Sequence, residues 1–110
     1  MKRQEFIVKF GKLIEFAEKK GIRFIIFTYH RSAAEQRKMY LDGKSQLDGY
    51  KKKSKHQLWR AIDLVILNEK DDLVWVRTPE YDMLGEFWIS LGGRWGGSWK
   101  TLNDPYHFEL

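Results

Sequence analysis

The chain contains no cysteine. That absence excludes disulfide frameworks, thiol nucleophiles, cysteine-type zinc fingers and iron–sulfur sites. Histidine is scarce too, with three residues: His30, His56 and His107. Any transition metal bound here takes nitrogen and oxygen ligands, and its nitrogens come from those three. Long apolar runs are also missing. The longest uncharged apolar stretch is Phe24–Tyr29, far short of the roughly 20 residues a membrane-spanning helix needs. Near the N-terminus, Lys9, Lys12, Glu15 and Glu18 interrupt any apolar segment of a secretory leader. The expectation is a chain made in the cytoplasm without a signal peptide, which leaves the cell only by other machinery.

What is present describes one folded domain spanning residues 1–110. A chain of 110 residues builds a single core and buries about two-thirds of its unfolded surface. The apolar fraction of 43% against 32% charged residues fits a soluble globular fold rather than a disordered chain. Five tryptophans are many for this length, enough to line both a core and a cleft. The net charge of +5 favours polyanionic partners: nucleic acid, anionic lipid headgroups or an anionic cell wall. Its densest part is Lys51, Lys52, Lys53 and Lys55, and the ordinary reading of such a run is a solvated loop.

Hydrophobic periodicity orders the elements. Phe6, Ile7, Phe10, Leu13, Ile14 and Ala17 recur at helical spacing and predict an amphipathic helix of about four turns, stopped by Gly21. The Ile/Phe-rich segment from Ile22 to Tyr29 predicts a buried strand. Ser32 with Glu35 has capping-box spacing and opens a second helix that runs to about Leu41. Residues 42–55 read as a surface loop. Ala61–Leu67 reads as a strand, Asn68–Asp72 as a turn and Leu73–Val76 as its hairpin partner. Pro79 opens a third helix carrying Met83, Leu84, Phe87, Trp88 and Leu91. Gly92, Gly93, Gly96 and Gly97 predict a loop holding Trp95 and Trp99, and His107–Leu110 a final strand. The fold class is α+β: a small antiparallel sheet flanked by about three helices.

Asp63 is the anomaly in this pattern. A carboxylate inside an apolar strand is costly unless it is paired or bound to a metal. His56 lies upstream, and Asp104-Pro105-Tyr106-His107 lies near the C-terminus. Two histidines and an aspartate make a three-ligand zinc set with an open fourth position for water, on which Asp104 can act. Spacing alone equally allows three ordinary hydrogen-bonded residues.

At these residues the sequence resembles a known family. Ser54-Lys55-His56-Gln57-Leu58-Trp59-Arg60-Ala61-Ile62-Asp63 is similar to the Ser-x-His-x-x-Gly-x-Ala-x-Asp motif of the zinc D-alanyl-D-alanine carboxypeptidase and L-alanyl-D-glutamate endopeptidase family. Asp104 to His107 matches its Asp/Glu-x-x-His motif, with Phe108-Glu109 continuing the ending. Phe87-Trp88 and the run from Leu91 to Trp99 resemble the phage endolysin branch. Arg31-Ser32 with Glu35-Gln36 and Tyr40 resembles the segment after the family's first core strand. The resemblance covers residues 22–110 in the family's order.

The resemblance implies a hedgehog-like zinc peptidase fold and one zinc ion per chain, held by His56, Asp63 and His107. It makes Asp104 the general base and Arg31 the group that polarises the substrate carbonyl. Ser54, Gln36, Trp99 and Glu109 are candidates for substrate contact or for support of the ligands, with Ser54 expected to donate a hydrogen bond that orders the ligand loop. Three positions depart from the pattern: Trp59 stands for the motif glycine, and Tyr29-His30 stands for a glycine and an aromatic before Arg31. Trp59 is expected to narrow or reshape the cleft, and His30 to be structural or solvent-facing. Trp95 and Trp99 either wall the cleft or pack the core.

The resemblance thus implies hydrolysis of a peptidoglycan stem-peptide amide, with the L-alanyl-D-glutamate bond as the expected cut. Anionic wall polymers are the expected partners of the lysine run. A monomeric lysin of phage or prophage origin, released through a holin, fits the small size. The alternatives are a D,D-carboxypeptidase or dipeptidase of the same family, and a non-catalytic basic module binding wall polymer or nucleic acid. No DNA-reading motif is recognisable, and a basic module leaves Asp63 and the Asp104–His107 spacing without a reason.

Overall fold

The apolar stripe of the first helix decides where the core lies. In the computed structural model, which describes residues 2–101 and 103–110, helix α1 spans Lys2–Lys20. Phe6, Phe10, Leu13 and Ala17 are its buried positions. Ile7 and Ile14, expected on the same stripe, lie at its margin and stay 44% exposed. The helix starts a turn earlier than the stripe requires, and Lys2 and Lys9 both pair with Glu5 along one face there. Gly21 ends it at φ 71°, a left-handed conformation that glycine adopts without penalty. The Ile22 amide then bonds back to the Ala17 carbonyl at 2.9 Å.

The other elements are β1 (Arg23–Thr28), α2 (Ala33–Leu41), β2 (Ala61–Leu67), β3 (Leu73–Val74), α3 (Pro79–Ser90), β4 (Arg94–Trp95), one 3-10 turn (Gly96–Ser98) and β5 (His107–Glu109). The strands form one antiparallel sheet in the order β1-β2-β5-β4, with β3 also paired to β2. Ile62, Leu64 and Ile66 of β2 join Phe108 of β5 in one core with α1 and α3. Trp88 of α3 meets Phe6 edge-on at 5.5 Å and Phe108 at 6.1 Å. Strand residues alternate between faces, so Asp63, His107 and Glu109 turn to the opposite face of the sheet. The buried Tyr81 hydroxyl accepts from the Ile66 amide at 3.0 Å and donates to the Val74 carbonyl at 2.5 Å, joining α3 to the β2–β3 hairpin.

Two expectations need correction. The β1 segment is not a buried strand. Among the described residues it is a sheet edge with one neighbour, and Phe27 is 59% exposed. Apolar composition alone does not separate a central strand from an edge strand. The glycine-rich segment is not only a loop either: Arg94 and Trp95 pair with Glu109 and Phe108 as a fourth rung of the sheet. The glycines serve packing there, since the Trp95 indole lies directly against Gly85 and Gly97, and Trp88 against Gly93. A Cβ at those positions would collide with the rings.

Residues 42–55 form a surface segment, as expected, but an ordered one. One oxygen of Asp48 accepts the amides of Tyr50, Lys51 and Lys52 at 2.9–3.0 Å. The Ser32–Glu35 capping box is present in both directions and starts α2.

Candidate metal centre

Strand register builds the site. Asp63 of β2 faces His107 of β5 as a direct antiparallel pair. On its other side Asp63 pairs with Thr28, next to a bulge in β1. The turn that leads into β2 supplies His56, which is 3% exposed. His56 Nε2 lies 3.2 Å from Asp63 Oδ2, and His107 Nδ1 lies 3.1 Å from Asp63 Oδ1. Each of the three residues offers a ligand atom, and those atoms lie within 4.8 Å of one another.

The second nitrogen of each ring is also engaged. His56 Nδ1 donates to the Tyr29 carbonyl at 2.8 Å. His107 Nε2 lies 2.7 Å from Glu109 Oε1. A neutral imidazole carries one N–H. With Nδ1 of His56 spent on a carbonyl, its Nε2 lone pair points at a carboxylate. His107 has a carboxylate at both nitrogens, so one of its lone pairs also meets an anion. Where the imidazoles are neutral, lone pairs and carboxylate oxygens converge on one point and are balanced by a cation there; without a metal, a proton on His107 takes that role. This donor set, two imidazole nitrogens and a carboxylate with outer partners fixing both rings, fits a zinc ion.

Charge coupling without a cation follows the same geometry. Burial pushes the Asp63 carboxyl up, but hydrogen bonds from His107 and His56 outweigh it and hold the group well below the usual carboxylate range. Burial pulls His107 down, while its bonds to Asp63 and Glu109 raise it to about 9. Glu109 is raised by burial and lowered more by His107, with Arg94 and Lys55 contributing; the net direction is down.

The cluster opens into a cleft of about 680 Å³ that brings Arg31, Ser54, Trp99, Asp104 and Glu109 around the three ligand candidates. Burial and the Asp63 charge push the Asp104 carboxyl up. Its Oδ1 accepts the Tyr106 amide at 3.1 Å. Arg31 Nη2 stands 4.0 Å from Asp63 Oδ2, and Nη1 donates to Gln36 Oε1 at 2.6 Å. Gln36 itself is fully buried, and its amide donates to Ser45 Oγ and the Leu47 carbonyl, both at 2.8 Å. Gln36 is thus bonded to Arg31 from behind the cleft and does not itself line it.

Other expected residues divide. The Ser54 hydroxyl accepts from the Gln57 amide at 3.4 Å, while the Gln57 side chain takes the Ser54 amide at 3.2 Å. Ser54 thus orders the ligand turn as an acceptor rather than as the expected donor. Trp99 walls the cleft, its ring centre 5.3 Å from that of His107. Trp95 is core, with its indole N–H on the Pro105 carbonyl. Trp59 does not narrow the cleft: its ring turns away and stacks on His30 at 3.7 Å. Sequence reasoning missed Arg94, which reaches Glu109 Oε2 at 3.4 Å, and the Tyr29 carbonyl. Arg94 lies opposite Glu109 in the sheet, a pairing that becomes readable once β4 is assigned as a strand. A carbonyl leaves no residue-type signal.

Comparison with known proteins decides the family. The family described as D-alanyl-D-alanine carboxypeptidase matches residues 48–110, more than half of the chain. The chain belongs to this carboxypeptidase family. It is 29% identical over 107 residues to the peptidoglycan L-alanyl-D-glutamate endopeptidase CwlK of Bacillus subtilis (strain 168), covering 86% of this chain. The chain spans 64% of the length of that curated relative. Among solved structures, the Serratia marcescens L-Ala D-Glu endopeptidase ChiX superposes with a TM-score of 0.66 at 30% identity, covering 81% of this chain and 67% of that one. The vancomycin-resistance D,D-pentapeptidase VanY, solved in complex with Zn(II), gives 0.65 at 16% identity, over 96% of this chain and 70% of that one. The LD-carboxypeptidase LdcB gives 0.66 at 16%, over 100% and 61%. The last two share the fold. No helix among the described residues is long and apolar enough to cross a membrane.

Proposed function

We propose that the protein is a zinc peptidase that hydrolyses an amide bond in the stem peptide of peptidoglycan, cutting between L-alanine and D-glutamate. The observation that carries this is the convergence of His56, Asp63 and His107 in one cleft with Asp104 and Arg31. The two relatives near 30% identity are both named as L-Ala-D-Glu endopeptidases, which favours that bond.

His56 Nε2, an Asp63 oxygen and His107 Nδ1 would hold the zinc. When bound, zinc supplies a Lewis acid and a water whose pKa falls toward about 7. Asp104 keeps Oδ1 on the Tyr106 amide and uses Oδ2 to take the proton of the attacking water. Its raised pKa suits it to hold that proton and pass it to the leaving nitrogen. The Arg31 guanidinium, anchored by Gln36, offers N–H groups to the oxygen that becomes negative in the tetrahedral intermediate. Trp99 supplies an apolar wall beside His107 and limits water around it.

A D,D-carboxypeptidase activity is the second reading. Lys44 and Lys55 line the cleft with Arg31, and such cations suit a free terminal carboxylate. In either case the protein is taken as a monomer that meets anionic wall polymers through its lysine loop, as a phage lysin released through a holin would.

The test is mass analysis of muropeptides after digestion of purified peptidoglycan with the zinc-loaded protein. New amino termini on D-glutamate establish the endopeptidase. Release of free D-alanine moves the assignment to the carboxypeptidase. Asp104→Asn should retain zinc and lose about 10²–10⁴ in rate. An intact digest from zinc-loaded wild type overturns the enzyme reading and leaves a non-catalytic binding module.

A further inference from the structure

Trp59 has φ 60°, the left-handed region that bulky L-residues rarely occupy. Strain of this kind persists where the surroundings over-determine it, and it clusters at functional sites. The surroundings here are aromatic. The Trp59 ring stacks on His30 at 3.7 Å with 12° between planes, and meets Tyr29 edge-on at 5.6 Å. Tyr29 in turn stacks on Phe6 of α1 at 6.0 Å, which ties the group to the core. The three residues that depart from the family pattern are therefore the three that touch one another.

Behind these rings the backbone is laced around His56. The Tyr29 carbonyl accepts from His56 Nδ1 at 2.8 Å. The His56 carbonyl accepts from the amides of both Arg31 and Trp59, each at 3.4 Å. The segment 29–31 and the turn 56–59 thus hold each other through His56, and both backbone bonds to its carbonyl are long. Trp59 remains 38% exposed, so burial alone does not fix its ring. The His30 stack on one face and the Tyr29 edge supply the contact that burial leaves out.

We propose that Tyr29, His30 and Trp59 form an aromatic clasp that positions His56 as a metal ligand, closing the ligand turn onto the end of β1 in place of a flexible glycine. The clasp residues do not line the cleft; they act through the orientation of the His56 ring. The proposal rests on the metal-centre reading above.

The clasp and the metal reading separate in one experiment. Zinc affinity is measured by chelator competition for the full chain and for His30→Ala, His30→Phe and Trp59→Gly. The His56 Nδ1 proton is followed by NMR in the metal-free proteins. Wild type should bind one zinc and protect that proton. His30→Ala should bind about tenfold more weakly, at the lower end of effects for outer partners of a ligand, and should lose the protection. His30→Phe keeps a ring on Trp59 and should recover both. Trp59→Gly relieves the backbone strain, so it should fold without difficulty and still bind about tenfold more weakly. Folding of each variant is checked by its thermal transition. If wild type binds zinc and both His30→Ala and Trp59→Gly bind it equally well with the Nδ1 proton protected, the clasp is wrong and the metal reading stands. If wild type binds no zinc, both are wrong.

Discussion

Glu109 Oε1 lies 2.7 Å from His107 Nε2, and the two side chains project from the same face of β5. The contact leaves His107 Nδ1 as the nitrogen turned toward Asp63. Arg94 holds the other Glu109 oxygen at 3.4 Å. Glu109 thus fixes which nitrogen is offered to a metal. Glu109→Gln should weaken zinc binding by about 10–100-fold, the usual cost of losing an outer partner of a ligating histidine. Arg94→Gln, at a largely exposed side chain, should cost much less. Chelator competition on both variants measures the difference.

The metal-free protein should lose stability as pH rises. His107 titrates at about 9 in the fold against 6.5 for the free side chain. The folded state binds the proton more tightly, so this contribution is complete below about pH 6.5 and disappears as pH passes through about 9. Zinc competes with the same proton, so its affinity should rise across that window. Denaturant midpoints of the metal-free protein between pH 6 and 10, beside zinc titrations at the same pH values, give both trends. Equal midpoints throughout would show that the Asp63–His107–Glu109 cluster carries no net proton linkage.

Gln36 sits under Arg31 with every polar atom of its side chain engaged. Gln36→Ala strips a partner from the guanidinium and from the half-buried Leu47 carbonyl. Activity on peptidoglycan should fall through kcat, because Arg31 loses its orientation, while zinc affinity holds. Steady-state kinetics with a parallel zinc titration separates the two. A matching loss of zinc would mean that Gln36 supports the metal ligands instead.

Two glycines should respond to alanine in opposite directions. A Cβ on Gly85 would run into the Trp95 indole, whose N–H is already held by Pro105. Gly85→Ala should destabilise by about 1–3 kcal/mol, the range for overpacking a core. Gly11 lies mid-helix in α1 with open space where its Cβ would be. Gly11→Ala should stabilise by up to about 1 kcal/mol through helix propensity. Chemical denaturation of the two variants tests the pair.

What the sequence discloses follows from which constraints act on residue type. Asp63 stands out because a carboxylate in an apolar strand needs a partner of particular chemistry, and His56 and His107 are two of only three imidazoles available. The helices are legible through the Phe6–Ala17 and Leu84–Trp88 spacings. The exposure of β1 is not, since an edge strand and a central strand share the same Ile/Phe composition. The glycine run around Trp95 reads as a loop, because a glycine kept small for a neighbouring ring looks like a glycine kept for a turn. Trp59 shows the same limit from the other side. Its type suggests a bulky cleft wall, but its left-handed backbone sends the ring to His30. The Tyr29 carbonyl lies wholly outside residue type.

The turn closed on Asp48 has a bearing on how long the protein survives among proteases. Lys51, Lys52, Lys53 and Lys55 are the densest run of trypsin-type cleavage sites in the chain. Two of these amides, with that of Tyr50, are tied to a single carboxylate oxygen. A protease needs the chain locally opened before it can cut. The rate of nicking in this loop therefore reports how often the turn opens, and the loop richest in target residues is held by Asp48 together with the Gln57 amide on the Gly49 carbonyl at 2.8 Å.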